Sequence, residues 1–180
     1  IRTSPDVRYP NVMFHFLPVS IRYDRKTEAP GGHGYQLHVG PTTSNAHGSV
    51  RIKSSDPTEH PAIRFNYLST DQDRQEWIGA VHAARDIATQ PAFDRYNGGE
   101  LSPGSRVQTD QEILDWVAAE GETGLHPCGT CRMGTGDDAV VDPLTMRVHG
   151  LDGIRVVDAS VFPSIPNANI YAPTLMVAEK

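Results

Sequence analysis

His126-Pro127-Cys128-Gly129-Thr130-Cys131-Arg132-Met133-Gly134 is the run on which the reading of this 180-residue chain turns. A histidine, two glycines, a threonine and two cysteines packed so closely are too ordered a set for a generic surface loop. Three further runs follow in the same third of the chain: Val141-Asp142-Pro143, Arg147-Val148-His149-Gly150 and Ile154-Arg155-Val156-Val157-Asp158-Ala159-Ser160. The chain ends on Asn169-Ile170-Tyr171-Ala172-Pro173-Thr174-Leu175-Met176-Val177-Ala178-Glu179-Lys180.

His126 is the side chain in this run best suited to accept a proton near neutral pH, because an unperturbed imidazole titrates at about 6.5. On composition alone, a structural histidine bonded to a turn carbonyl explains it better. Asn169 can donate to or accept from a substrate oxygen without competing for its proton. By position alone, an asparagine before a helix is an ordinary cap or turn residue. Cys128 and Cys131 form Cys-x-x-Cys, and with His126 and His149 they can be drawn as four zinc ligands. No second Cys-x-x-Cys or His-x₃-His supports that drawing, and Pro127 stiffens the turn that must wrap the metal. A redox dithiol is the third use of such a pair. His149 reads as part of a turn before the last strand, and no pair of the remaining histidines has metal-ligand spacing on a helix.

Composition narrows the classes. A hydrophobic fraction of 38% and interspersed charges fit a folded globular chain long enough for a core. A net charge of −6 without a Lys/Arg cluster argues against a nucleic-acid partner. No apolar run reaches the roughly 20 residues of a transmembrane segment. The start at Ile1 and the stop at Glu179-Lys180, inside a helical pattern, read as the ends of a fragment.

Along the chain, Val12 to Ile21 partly alternates in a β-rich run and reads as a strand, and Asp24 to Gly34 reads as an exposed loop. Tyr35–Val39, Gly48–Lys53 and Ala62–Phe65 are further short strands between turn residues. Ser69-Thr70-Asp71-Gln72 has the form of a capping box with the serine as cap, and Trp77, Ile78, Val81, Ala84, Ile87 and Ala88 recur at helical spacing until Pro91. Thr109-Asp110-Gln111-Glu112 opens a second helix with Ile113, Trp116 and Val117 inward and Gly121 as the stop. Phe14, Phe16 and Trp77 are most simply core. Leu151 to Val161 reads as a turn into a buried strand carrying Ile154, Val156 and Val157, followed by a proline-rich loop and a last helix near Pro173. The expectation is an α+β fold: an antiparallel, mixed sheet flanked by helices, then a strand–loop–helix unit.

Read together, the five carboxy-terminal runs resemble the corresponding region of the glucose–methanol–choline (GMC) flavoprotein oxidoreductases. Phe14-His15-Phe16-Leu17-Pro18-Val19, Gly34-Tyr35-Gln36-Leu37-His38-Val39-Gly40, Lys53-Ser54-Ser55-Asp56-Pro57 and Phe65-Asn66-Tyr67-Leu68-Ser69-Thr70 are similar to the choline dehydrogenase branch. The resemblance reverses the odds on two residues. It implies that His126 is the base that takes the hydroxyl proton of an alcohol, and that Asn169 stands beside it. It further implies that Asp158 and Ala159 touch the flavin and its diphosphate, and that Ile170 and Tyr171 begin a helix lying against the flavin's pyrimidine end. In this reading Cys128 and Cys131 are small buried side chains at variable positions of the motif, and there is no metal.

The same resemblance implies residues 1–140 as a substrate-binding domain and 141–180 as a segment that completes the FAD-binding domain. The main cofactor site, with its Gly-x-Gly-x-x-Gly fingerprint, belongs to an amino-terminal domain absent from this chain. The implied cofactor is FAD and the implied partner a small-molecule alcohol, choline first among them. The electron acceptor is left open. The implied location is cytoplasmic, with membrane association open for the full-length enzyme. The fragment alone is expected neither to hold flavin nor to turn over. Against this stand a GMC enzyme for another primary alcohol, a zinc module on Cys128, Cys131, His126 and His149, and a β-rich interaction domain.

Overall fold

Partial alternation of side chains from Val12 onward produces the first strand, β1 (Val12–Leu17). The computed structural model, which describes residues 1–20 and 33–179, pairs it antiparallel with β2 (Gln36–Pro41), from Val12 opposite Pro41 to Leu17 opposite Gln36. The loop expected from Asp24 to Gly34 lies outside the described residues as far as residue 32. A second antiparallel pair joins β3 (Ser49–Arg51) to β4 (Ala62–Arg64), with Val50 opposite Ile63. The expected antiparallel strands are present, as two separate two-stranded sheets among the described residues.

The helices begin where hydroxyl and carboxylate side chains satisfy free N–H groups. In α1 (Asp71–Ala88) the cap is Thr70, one residue beyond the expected Ser69, and its Oγ1 accepts from the Asp73 N–H at 3.1 Å. In α2 (Asp110–Glu120) the expected box is complete: Thr109 Oγ1 accepts from Glu112 N–H at 3.3 Å, and Glu112 Oε2 accepts from Thr109 N–H at 2.9 Å. The last helix, α3, spans Tyr171–Glu179 with Pro173 in its first turn, where a missing N–H costs nothing.

The chain divides into two compact units. The first, Ile1–Pro41 with Leu68–Gly121, holds the β1–β2 pair, α1 and α2. Its core is Ile78, Val81, Ile113 and Val117, with Trp77 and Trp116 packed against it as the helical spacing predicts. A fully buried aliphatic side chain of this kind contributes about 1.5–3 kcal/mol. The pattern did not announce Asp73 and Glu76, both buried in α1. Asp73 Oδ2 accepts from the Leu68 N–H at 2.6 Å, and Glu76 Oε1 accepts from Asn11 Nδ2 at 2.9 Å. Phe16, expected in the core, is 50% exposed and leans on Tyr35 and Phe93 instead.

The second unit, Thr42–Tyr67 with Glu122–Lys180, holds β3, β4 and α3. Val141, Met146, Val161, Phe162, Ile170 and Val177 form its core. Residues on both sides of position 140 therefore share this unit. The buried strand expected within Leu151–Val161 is reduced to an isolated bridge between Arg147 and Arg155, and Ile154 is exposed. Turns bracket Arg147 and Val148, so the partner segment is too short for a ladder. Val156 and Val157 still pack on the core, and the segment ends in a single 3₁₀ turn, Ala159–Val161.

Candidate active site in the carboxy-terminal unit

The His126 loop owes its shape to backbone hydrogen bonds with the 3₁₀ turn. Gly129 N–H donates to the Ala159 carbonyl at 3.3 Å, Cys131 N–H to Ser160 at 2.9 Å, and Met133 N–H to Val161 at 2.7 Å. Gly129 is required at its position. Its φ is +83°, and a Cβ there would stand 3.2 Å from the Phe162 carbonyl oxygen. The far end of the run is fastened by His149, whose Nε2 lies 2.9 Å from the Gly134 carbonyl oxygen. His149 is thus committed to a turn, as the sequence suggested.

Immediately before His126, Leu125 adopts φ +58° although it carries a side chain and is 78% exposed. A left-handed non-glycine residue costs on the order of 1–3 kcal/mol and persists only where neighbours hold it. Here Leu125 N–H donates to Thr123 Oγ1 at 3.1 Å, and Tyr67 Oη donates to the same hydroxyl at 3.3 Å. His126 follows, half-buried, with no hydrogen-bond partner among the described residues. Nothing in the sequence around Leu125 signals this strain.

Cys128 packs against the apolar core, and burial pushes its thiol above the ordinary range of about 8–9. Such a thiol is a small hydrophobe, which is what the resemblance implied. Cys128 is turned to the core, which speaks against the zinc drawing. Among the described residues no group of three or more His, Cys, Asp or Glu could hold a metal ion.

Asp158 and Ala159 sit beside the loop and both work locally. Asp158 Oδ1 accepts from the Ser160 N–H at 2.8 Å and so caps the 3₁₀ turn. Ala159 supplies the carbonyl that receives Gly129. Asn169 and Tyr171 are exposed at the entrance to α3, Tyr171 by 74%, while Ile170 between them is buried. The Ile170 carbonyl accepts from Thr174 N–H at 2.9 Å and Thr174 Oγ1 at 2.7 Å, which fixes the first turn.

The structure joins the 126–134 loop to Asp158–Val161 directly. It ties Ile170 to the same core as Cys128. The His126 imidazole and the Asn169 amide make no hydrogen bond with each other. One contact was invisible in sequence: the buried Thr42 Oγ1 donates to Asn167 Oδ1 at 2.7 Å, two residues before Asn169.

The fit to a flavin rests on donors present here. The first N–H groups of a helix have no intrahelical acceptor and carry its positive end. The entrance of α3 is exposed at Tyr171 and Ala172, so it can face the anionic end of a flavin. Ser160 and the exposed Asp158 offer polar groups one turn from the His126 loop.

A family model described as GMC oxidoreductase matches residues 44–178. The oxygen-dependent choline dehydrogenase of Staphylococcus aureus (strain JH9) is 58% identical over all of this chain, which spans 32% of that relative's length. Among solved structures, pyridoxine 4-oxidase from Mesorbium loti is 34% identical with a TM-score of 0.86, covering 94% of this chain and 33% of that one. A fungal aryl-alcohol oxidase is 31% identical with a TM-score of 0.72, covering 86% and 25%. No helix among the described residues is long and apolar enough to cross a membrane.

Proposed function

This chain belongs to the GMC oxidoreductase family, and on that premise we propose that it is the carboxy-terminal catalytic part of an FAD-dependent choline dehydrogenase. The identity of 58% to an enzyme named for choline carries the substrate assignment, against 34% and 31% to oxidases named for pyridoxine and aryl alcohols. That relative's name also favours oxygen as the electron acceptor.

His126 accepts the proton of the substrate hydroxyl at a ring nitrogen. The alkoxide left behind expels hydride from its carbon far more readily than the alcohol does, so proton removal accompanies or precedes that transfer. Asn169 donates an amide N–H to the developing alkoxide oxygen, stabilising charge that exists only as the reaction proceeds. The C–H bond breaks as the C=O bond forms, giving betaine aldehyde from choline. Bound FAD supplies the hydride acceptor. Two features support the assignment: the imidazole has no hydrogen-bond partner among the described residues, and the backbone from which it projects is set by the left-handed Leu125, whose N–H is bonded to Thr123.

Residues 141–180 complete the FAD-binding domain in this reading, with Asp158 and Ala159 along the cofactor and Ile170 and Tyr171 at its pyrimidine end. The dinucleotide-binding domain lies upstream in the longer protein, in the cytoplasm. The decisive comparison is a substrate panel on the full-length enzyme. Choline should give the highest kcat/KM among choline, aliphatic alcohols and aromatic alcohols. An aromatic or simple aliphatic alcohol ahead of choline rejects the substrate assignment but keeps the reaction class.

A further inference from the structure

We propose that Thr42 is a positioning residue for Asn169, acting through Asn167; the inference rests on the role of Asn169 proposed above. Thr42 is a buried hydroxyl just after the end of β2, and its partner lies 125 residues along the chain. A buried hydroxyl that loses its acceptor keeps its desolvation cost, so the 2.7 Å bond to Asn167 Oδ1 fixes where residue 167 sits.

The next residues translate that anchor into an orientation. Ala168 takes φ +65°, a left-handed conformation rare for a residue with a side chain. Such a residue reverses the chain sharply, and it stays reversed only when both flanks are held. On one side the flank is Asn167, tied to Thr42. On the other it is Ile170, whose side chain is in the core and whose carbonyl receives both groups of Thr174. Asn169 sits between the two anchors with an exposed side chain. Its amide is therefore aimed by the backbone rather than by packing of its own. Releasing Thr42 loosens the first anchor and lets residues 167–169 shift toward ordinary φ values.

The test uses the full-length flavoenzyme and the variants Thr42→Val, Thr42→Ser, Asn169→Ala and Thr42→Val with Asn169→Ala, with flavin content and melting temperature measured on each. Thr42→Val keeps the shape and removes the hydroxyl. It should lower kcat about 5- to 10-fold, the equivalent of one hydrogen bond, with KM for choline changed by less than about twofold. Thr42→Ser should restore kcat. In the Asn169→Ala background Thr42→Val should cost nothing more, because the group it aims is gone. Wild-type kcat in Thr42→Val alongside a slow Asn169→Ala overturns the positioning role and leaves Asn169 in place. Losses that multiply in the double variant overturn it as well. Wild-type kcat in Asn169→Ala removes the assignment of Asn169, and the positioning role with it. Should Thr42→Val yield no flavin-loaded protein, Asn167→Ala removes the same bond from its exposed side and carries the same expectations.

Discussion

The backbone N–H of Met133 donates to the carbonyl oxygen of Val161 at 2.7 Å, the shortest of three bonds that stitch the His126 loop to the turn after Asp158. The loop proposed to hold the base and the turn proposed to touch the cofactor are thus one piece of backbone. A substitution that loosens either should disturb both.

Gly129→Ala tests that coupling. The alanine must adopt φ +83° and press its Cβ toward the Phe162 carbonyl at 3.2 Å. The left-handed penalty alone is about 1–2 kcal/mol. Thermal unfolding of the full-length enzyme should show a loss of that size, accompanied by reduced flavin retention.

The Leu125 strain makes the opposite prediction for stability. Glycine adopts φ +58° without steric cost, so Leu125→Gly should leave the melting temperature unchanged or raised by the equivalent of about 1 kcal/mol. Turnover should nonetheless fall several-fold, on the order of the effect of a slight misplacement of a catalytic group. Paired measurement of melting temperature and kcat separates the two effects.

Cys128 gives a pH dependence. Burial raises its thiol pKa in the folded state above the unfolded value, so the neutral thiol is the form the fold prefers. Its stabilising effect is complete below the unfolded thiol value and fades as pH rises through the folded one. Alkylation of Cys128 by iodoacetamide at pH 8 should therefore be slower than that of a free cysteine peptide, and should quicken above pH 9. A rate at pH 8 equal to the peptide's contradicts the packing described.

Helix starts were legible because a hydroxyl or carboxylate cap is a local device: Thr109 with Glu112 was readable from four adjacent residues, and Thr70 was missed by a single position. The helical core of Ile78, Val81, Ile113 and Val117 was legible for the same reason, since spacing alone defines a face. Ile154 was misread because an apolar run looks like a strand whether or not a partner long enough to pair with it exists. Phe16 was misread because alternation shows two faces without saying which one is covered. In the site, the His126 motif and the Asn169 stretch were visible through their resemblance to the family. The Thr42–Asn167 bond and the left-handed Leu125 and Ala168 were not, because they depend on distant contacts that no local pattern encodes.

His126 is the group proposed to take the substrate proton. Stopped-flow reduction of the full-length, flavin-loaded enzyme by choline tests this most directly, comparing wild type with His126→Ala at equal flavin content. The expected result is a reduction rate constant lower by about 10²–10⁴, the span typical of a lost general base. Flavin reduced at close to the wild-type rate in the variant would contradict the assignment.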